Sequence, residues 1–166
     1  MVGSMQQKHY EQWRDFEAMA EQAVHFVGRL YRERGVITTL YNRPLVGRTP
    51  MQILQEHKYV AEVENNDFSI QQTFPLLSAM ADMELSPARI DMAKLSSIYE
   101  KAGKGELQSF LKDELADSLN GDPSLLEKPQ DVVLYGFGRI GRLVARLLME
   151  RAGNAEGLRL KAIVVR

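Results

Sequence analysis

Hydrophobic positions recur at three- and four-residue steps through most of the first ~120 residues, and that spacing predicts five amphipathic helices. Over residues 8–34, Trp13, Phe16, Ala20, Ala23, Val24, Val27, Leu30 and Tyr31 fall on one face. Arg29, Arg32, Glu33 and Arg34 lie mostly off that face, and Gly35 is a C-terminal stop. A loop follows through Asn42, Arg43, Pro44, Gly47 and Arg48. Thr49 then caps a second helix, with Pro50 at its first position and Gln52 three after the cap. That helix runs to about Glu64, where Asn65-Asn66-Asp67 breaks it. The third, 69–83, carries Ile70, Phe74, Leu77, Met80 and Ala81 inward, with Pro75 disturbing its first turn. Ser86-Pro87 starts a fourth that ends near Gly103 and buries Met92, Leu95, Ile98, Tyr99 and Ala102. The fifth, 104–119, buries Leu107, Phe110, Leu111, Leu115 and Leu119 before Asn120-Gly121-Asp122-Pro123 ends it. On this reading the segment is all-helical.

The pattern then changes. After the polar approach Glu127-Lys128-Pro129-Gln130, the run Asp131-Val132-Val133-Leu134-Tyr135 is short, apolar and β-branched. Without alternation, such a run suits a strand covered on both faces of a parallel sheet. A glycine-rich turn follows, then a helix marked by Ile140, Val144, Leu147 and Leu148, with Arg142, Arg146, Glu150 and Arg151 on its other side. Gly153-Asn154-Ala155-Glu156-Gly157 is a turn, and residues 158–165 are a second strand. Strand, helix and strand within ~35 residues make a βαβ crossover.

Composition narrows the chemistry. The chain has 166 residues, room for one domain or two small ones, and its 45% hydrophobic content can fill a core. Net charge is -1, so no basic balance points to nucleic acid. Cysteine is absent, which removes disulfides, thiolate metal sites and a thiol nucleophile, and is compatible with a cytoplasmic location. No apolar run approaches the ~18 residues that cross a bilayer, and the N-terminus lacks a secretory pattern.

The glycine turn is where chemistry enters. Gly136-Phe137-Gly138-Arg139-Ile140-Gly141 has the G-x-G-x-x-G spacing between a strand and a helix. Gly136 permits a tight turn off the strand, and Gly138 lets the backbone approach a pyrophosphate. Gly141 lets the helix pack on the strand. Phosphates would then meet unpaired N–H groups and the positive end of the helix dipole. The blander reading is a glycine turn that serves packing alone.

The wording of this segment, Val133-Leu134-Tyr135-Gly136-Phe137-Gly138-Arg139-Ile140-Gly141-Arg142-Leu143-Val144, closely resembles the start of glyceraldehyde-3-phosphate dehydrogenases. The resemblance covers about residues 132–166. It implies that Arg139 and Ile140 meet the phosphates of NAD or NADP through main-chain groups, flanked by Gly136, Phe137, Gly138 and Gly141. It also implies a long bacterial form with a helical N-terminal extension, 1–125, before an incomplete Rossmann-type domain, 131–166. The fold class is thus α/β, mainly helical: an all-α segment followed by the first βαβ unit. The intact parent would oxidise an aldehyde phosphate with inorganic phosphate through a cysteine thioester, as a cytoplasmic glycolytic homo-oligomer. Its catalytic residues would lie in a domain missing here, so this piece is expected to be inactive and to partner the remainder of that enzyme. The family's usual ribose-binding acid, just after the second strand, has no match here: either it lies beyond Arg166, or Arg166 occupies its place, which would favour a 2′-phosphate and hence NADP.

No other residues assemble a site. His9, His25 and His57 lack metal-ligand spacing and read as surface or partly buried residues, and no metal site is expected. Glu62, Glu64 and Asp67, like Asp113, Glu114 and Asp117, read as solvated charge. Met80, Met83 and Met92 read as core filling. Arg34, Arg43 and Arg48 around the Gly47 loop could meet a phosphate or a missing domain. The rival to the dehydrogenase reading is a helical interaction or regulatory module with no catalytic role.

Overall fold

The computed structural model describes residues 2–120, 130–150 and 158–165. Helix α1 spans Val2–Arg34, and its apolar stripe behaves as spaced: Ala20, Ala23, Val27, Leu30 and Tyr31 are buried. Residues 9–15 of the same helix are exposed, so packing begins at Phe16. Gly35 ends the helix with φ 68°, the left-handed conformation that glycine adopts without a Cβ penalty.

The chain does not stay helical after that stop. Strand β1 (Ile37–Leu40) pairs antiparallel with β2 (Arg43–Pro44), and parallel with β3 (Arg89–Asp91). The order is β2-β1-β3. The all-α expectation for 1–125 is therefore corrected by a three-stranded sheet. Tyr41 and Asn42, at φ 46° and 63°, form the two-residue connection that brings β2 back on β1. The expected helix start at Ser86-Pro87 is likewise corrected, because that segment runs extended into β3. Helix α4 (Met92–Lys101) starts only where the Asp91 carboxylate accepts from the N–H groups of Ala93 and Lys94.

Helix α2 (Pro50–Glu64) carries the full capping box: Thr49 accepts from Gln52 N–H, and Gln52 accepts from Thr49 N–H. Caps of this kind are worth about 1 kcal/mol. Helix α3 (Ile70–Ala81) has the same device at Ser69 and Gln72, and Pro75 lies inside it. The fifth expected helix divides into α5 (Leu107–Glu114) and α6 (Ala116–Leu119), hinged at the buried Leu115. One apolar cluster gathers these elements, from Ala20 on α1 through Ile53, Leu76, Leu77 and Met80 to Leu111 and Leu115.

After residue 130 a separate pattern of contacts begins. Strand β4 (Gln130–Tyr135) pairs parallel with β5 (Leu158–Val164), and helix α7 (Arg139–Glu150) packs on both. Asp131 locks the pair by ion pairs to Arg159 (2.7 Å) and Lys161 (3.3 Å). The Arg159 guanidinium, with Lys161, holds the Asp131 carboxyl below the usual carboxylate range. The expectation of a strand covered on both faces fails here, since Val133 and Tyr135 are exposed and only Val132 and Leu134 are half-buried. On α7, Ala145 is buried and Val144 and Leu148 are half-buried, while Ile140, Leu143 and Leu147 are exposed. Among the described residues, no helix is long and apolar enough to cross a membrane.

Candidate functional site: the glycine turn between β4 and α7

The turn is built by the register of the β4–β5 pair. Gly136 N–H donates to the Val164 carbonyl at 2.7 Å, carrying the ladder one residue past the end of β4. At φ 105°, Gly136 then turns the chain off the sheet in a conformation that L side chains rarely adopt. Helix α7 opens three residues later, and Arg142 N–H donates to the Gly138 carbonyl at 3.0 Å. The N–H groups of Arg139, Ile140 and Gly141 precede that bond and have no acceptor within the helix.

The three glycines differ in what their missing Cβ leaves free. A Cβ on Gly141 would sit 2.4 Å from the Gly136 carbonyl oxygen, so Gly141 sets the closest approach of helix to strand. A Cβ on Gly138 would meet no protein atom within 4 Å. The space in front of Gly138 is open. Around it lies a concavity of about 730 Å³, lined among others by Leu134, Gly136, Gly138, Arg139, Ile140 and Gly141. Phe137 is exposed beside it. All six residues singled out in the sequence therefore stand at one turn, five of them lining the concavity. A strand end, a glycine turn and a helix N-terminus in this order can receive an anion through main-chain N–H groups, aided by the helix dipole. Arg166 lies outside the described residues.

The remaining candidates do not converge. Arg43 and Arg48 both pair with the buried Glu56, at 2.9 and 3.6 Å, whereas Arg34 pairs with Glu84 at 3.6 Å. Arg43 also lies 4.0 Å over the Tyr59 ring. The acidic clusters at 62–67 and 113–117 are exposed, and Met80 and Met92 are core residues. His9 and His25 are exposed.

His57 is the departure: it is fully buried. Its Nδ1 lies 2.8 Å from the Ile53 carbonyl and its Nε2 2.7 Å from Thr73 Oγ1. In the neutral ring that pairs with both, Nδ1–H donates to Ile53 and Nε2 accepts from the Thr73 hydroxyl. Burial pushes its pKa down from the ordinary 6.5 to about 4, against the opposing effects of the Ile53 carbonyl and Glu56. A signal was present in the sequence, because Ile53, His57 and Val60 follow the helical stripe.

The site thus has the form of a βα glycine turn opening onto a parallel strand pair. In sequence, the chain is 38% identical over 146 residues to a glyceraldehyde-3-phosphate dehydrogenase-like protein of Pseudomonas aeruginosa (strain UCBPP-PA14). That match takes in 86% of this chain and 32% of the relative, so the chain spans about a third of the curated relative's length. No protein-family model matches the chain. The similarity supports kinship with glyceraldehyde-3-phosphate dehydrogenase-like proteins and reaches well beyond the glycine turn into the helical part.

Proposed function

We propose that this chain is the N-terminal part of a glyceraldehyde-3-phosphate dehydrogenase-like oxidoreductase, and that its glycine turn holds the pyrophosphate of NAD or NADP. The observation that carries the reading is the open space at Gly138 in front of the α7 N-terminus. Gly136, Phe137 and Gly138 shape the cradle. Arg139, Ile140 and Gly141 offer it the N–H groups of the first helical turn. β4, α7 and β5 are read as the first βαβ unit of a Rossmann-type domain. When bound, the cofactor would supply hydride transfer in the parent enzyme. The residues here bind and orient it, and with no cysteine in 166 residues they form no thioester. The parent is read as cytoplasmic, acting on an aldehyde phosphate.

Titration calorimetry tests the site. NAD or NADP is expected to bind this chain no tighter than about millimolar, roughly -4 kcal/mol, because phosphate contacts alone must offset the entropy of association. Gly138→Val is the decisive variant: a Cβ at this position meets no protein atom within 4 Å, so loss of binding with unchanged circular dichroism reports on ligand space. Micromolar binding that survives this change would put the dinucleotide elsewhere.

The division into 1–125 and 131–166 is part of the same proposal. It is supported by the main apolar cluster, whose members run from Phe16 to Leu119 and include none of residues 130–165. Limited proteolysis should cut first between 120 and 130, where the sequence reads Asn-Gly-Asp-Pro. First cleavage inside α4 would defeat the two-unit reading.

A further inference from the structure

A concavity in the helical part is unused by the proposed dinucleotide site. It measures about 620 Å³ and lies between α1, α2 and the 66–69 connection to α3. That is the size of small-molecule sites, which combine apolar walls with a few polar groups. Its apolar lining includes three phenyl or indole rings, Trp13 and Phe16 from α1 and Phe68 from the connection, beside Met51, Leu54 and Ile70. Gln12, Gln55 and Gln71, all exposed, also line it.

Phe68 is held in place from several directions. Its ring stacks on the buried His57 at 5.6 Å between centroids and 14° between planes. Its N–H donates to the Asn66 side chain at 3.0 Å. Asn66 N–H donates to the Ala61 carbonyl, and the Gln72 amide donates to the Asp67 carbonyl at 3.1 Å. Trp13, by contrast, is 44% exposed although it is a large ring on an otherwise polar stretch of helix. Each carboxamide presents a donor and an acceptor side by side. That pair matches the edge of a purine, which offers an adjacent ring nitrogen and exocyclic group. Flat aromatic walls add stacking, which is tolerant of ring identity.

The geometry points to this pocket as a binding site for a purine nucleoside, with the base between the aromatic walls and its edge read by the glutamine amides. It is separate from the glycine turn and does not rest on the dehydrogenase reading.

Trp13 is the sole tryptophan in the sequence, so its fluorescence reports on this pocket alone. Adenosine should quench it saturably in the full chain. Gln55→Ala, an exposed change, should weaken that binding about tenfold, the worth of a neutral hydrogen bond or two. Phe68→Ala should remove it, and Gly138→Val should leave it unchanged. Indole has the rings without the purine edge, so it should quench far more weakly. An absence of saturable quenching would overturn the proposal, as would equal quenching by indole or no effect of Gln55→Ala. Loss of quenching in Gly138→Val would overturn it too, because a change at the glycine turn should not reach Trp13.

Discussion

Lowering the pH from 6.5 to 4 is expected to remove about 3 kcal/mol of stability from the helical part through His57 alone. The folded protein holds this imidazole neutral with its pKa lowered to about 4, whereas the unfolded chain titrates near 6.5. Between those values the unfolded state binds the additional proton, so stability falls as pH falls. The contribution is fully present above 6.5 and is lost as pH drops through the window. Two and a half units at about 1.4 kcal/mol each set the scale. His57→Phe is the control: the ring can still stack on Phe68, and the Thr73 hydroxyl, released from Nε2, can turn its proton to the Ile70 carbonyl at 3.3 Å. Carboxylates titrate in both proteins, so the quantity to compare is the difference between their urea midpoints at pH 7 and pH 4.5. Parallel pH profiles would mean that His57 reaches water in the folded state.

Replacing Gly141 with alanine should have the other large effect, at the strand–helix junction. The new methyl would fall 2.4 Å from one backbone atom, the Gly136 carbonyl oxygen, and 3.2 Å from the attached carbon. A flexible side chain could move aside, but the backbone of a residue whose own N–H is tied to the Val164 carbonyl cannot do so cheaply. Overpacking of this kind costs roughly 1–3 kcal/mol, and a backbone neighbour puts it toward the upper end. Gly138→Ala, whose methyl meets nothing, should leave the fold intact. Hydrogen exchange over 130–150 should therefore accelerate at least tenfold in Gly141→Ala and stay unchanged in Gly138→Ala. Equal protection in both would show that α7 can shift away from β4 without cost.

The contrast between those glycines was legible in the sequence, because spacing alone assigns each a different duty. So were the caps: Thr49-Pro50 with Gln52, and Gly35 as a stop, depend on bonds within four residues of one another. What escaped was non-local. Ile37-Thr38-Thr39-Leu40 is β-branched enough to be a strand, but four residues fix no period. Its parallel partner Arg89–Asp91 lies about fifty positions away, and no local signal announces that pairing. Ser86-Pro87 misled for a related reason: proline suits a first helical turn and extended chain equally, and Asp91 decided between them. In the site region, the strand and turn were readable from residues 131–141, while the exposure of Val133 and Ile140 was not. Periodicity reports which positions are apolar. It does not report what covers them.

The main apolar cluster also has a bearing on synthesis. Every residue that closes it, from Phe16 on α1 to Leu119 at the end of α6, precedes Gln130 in the chain and so leaves the ribosome before the strands do. Chains emerge at roughly 5–20 residues per second, and helical contacts of modest sequence separation form in far less time. The helical part can therefore be finished before the glycine turn leaves the ribosome. The parallel strands β4 and β5 then emerge next to a folded body rather than a growing coil. That order shields the β4–β5 pairing from competition with unburied helices.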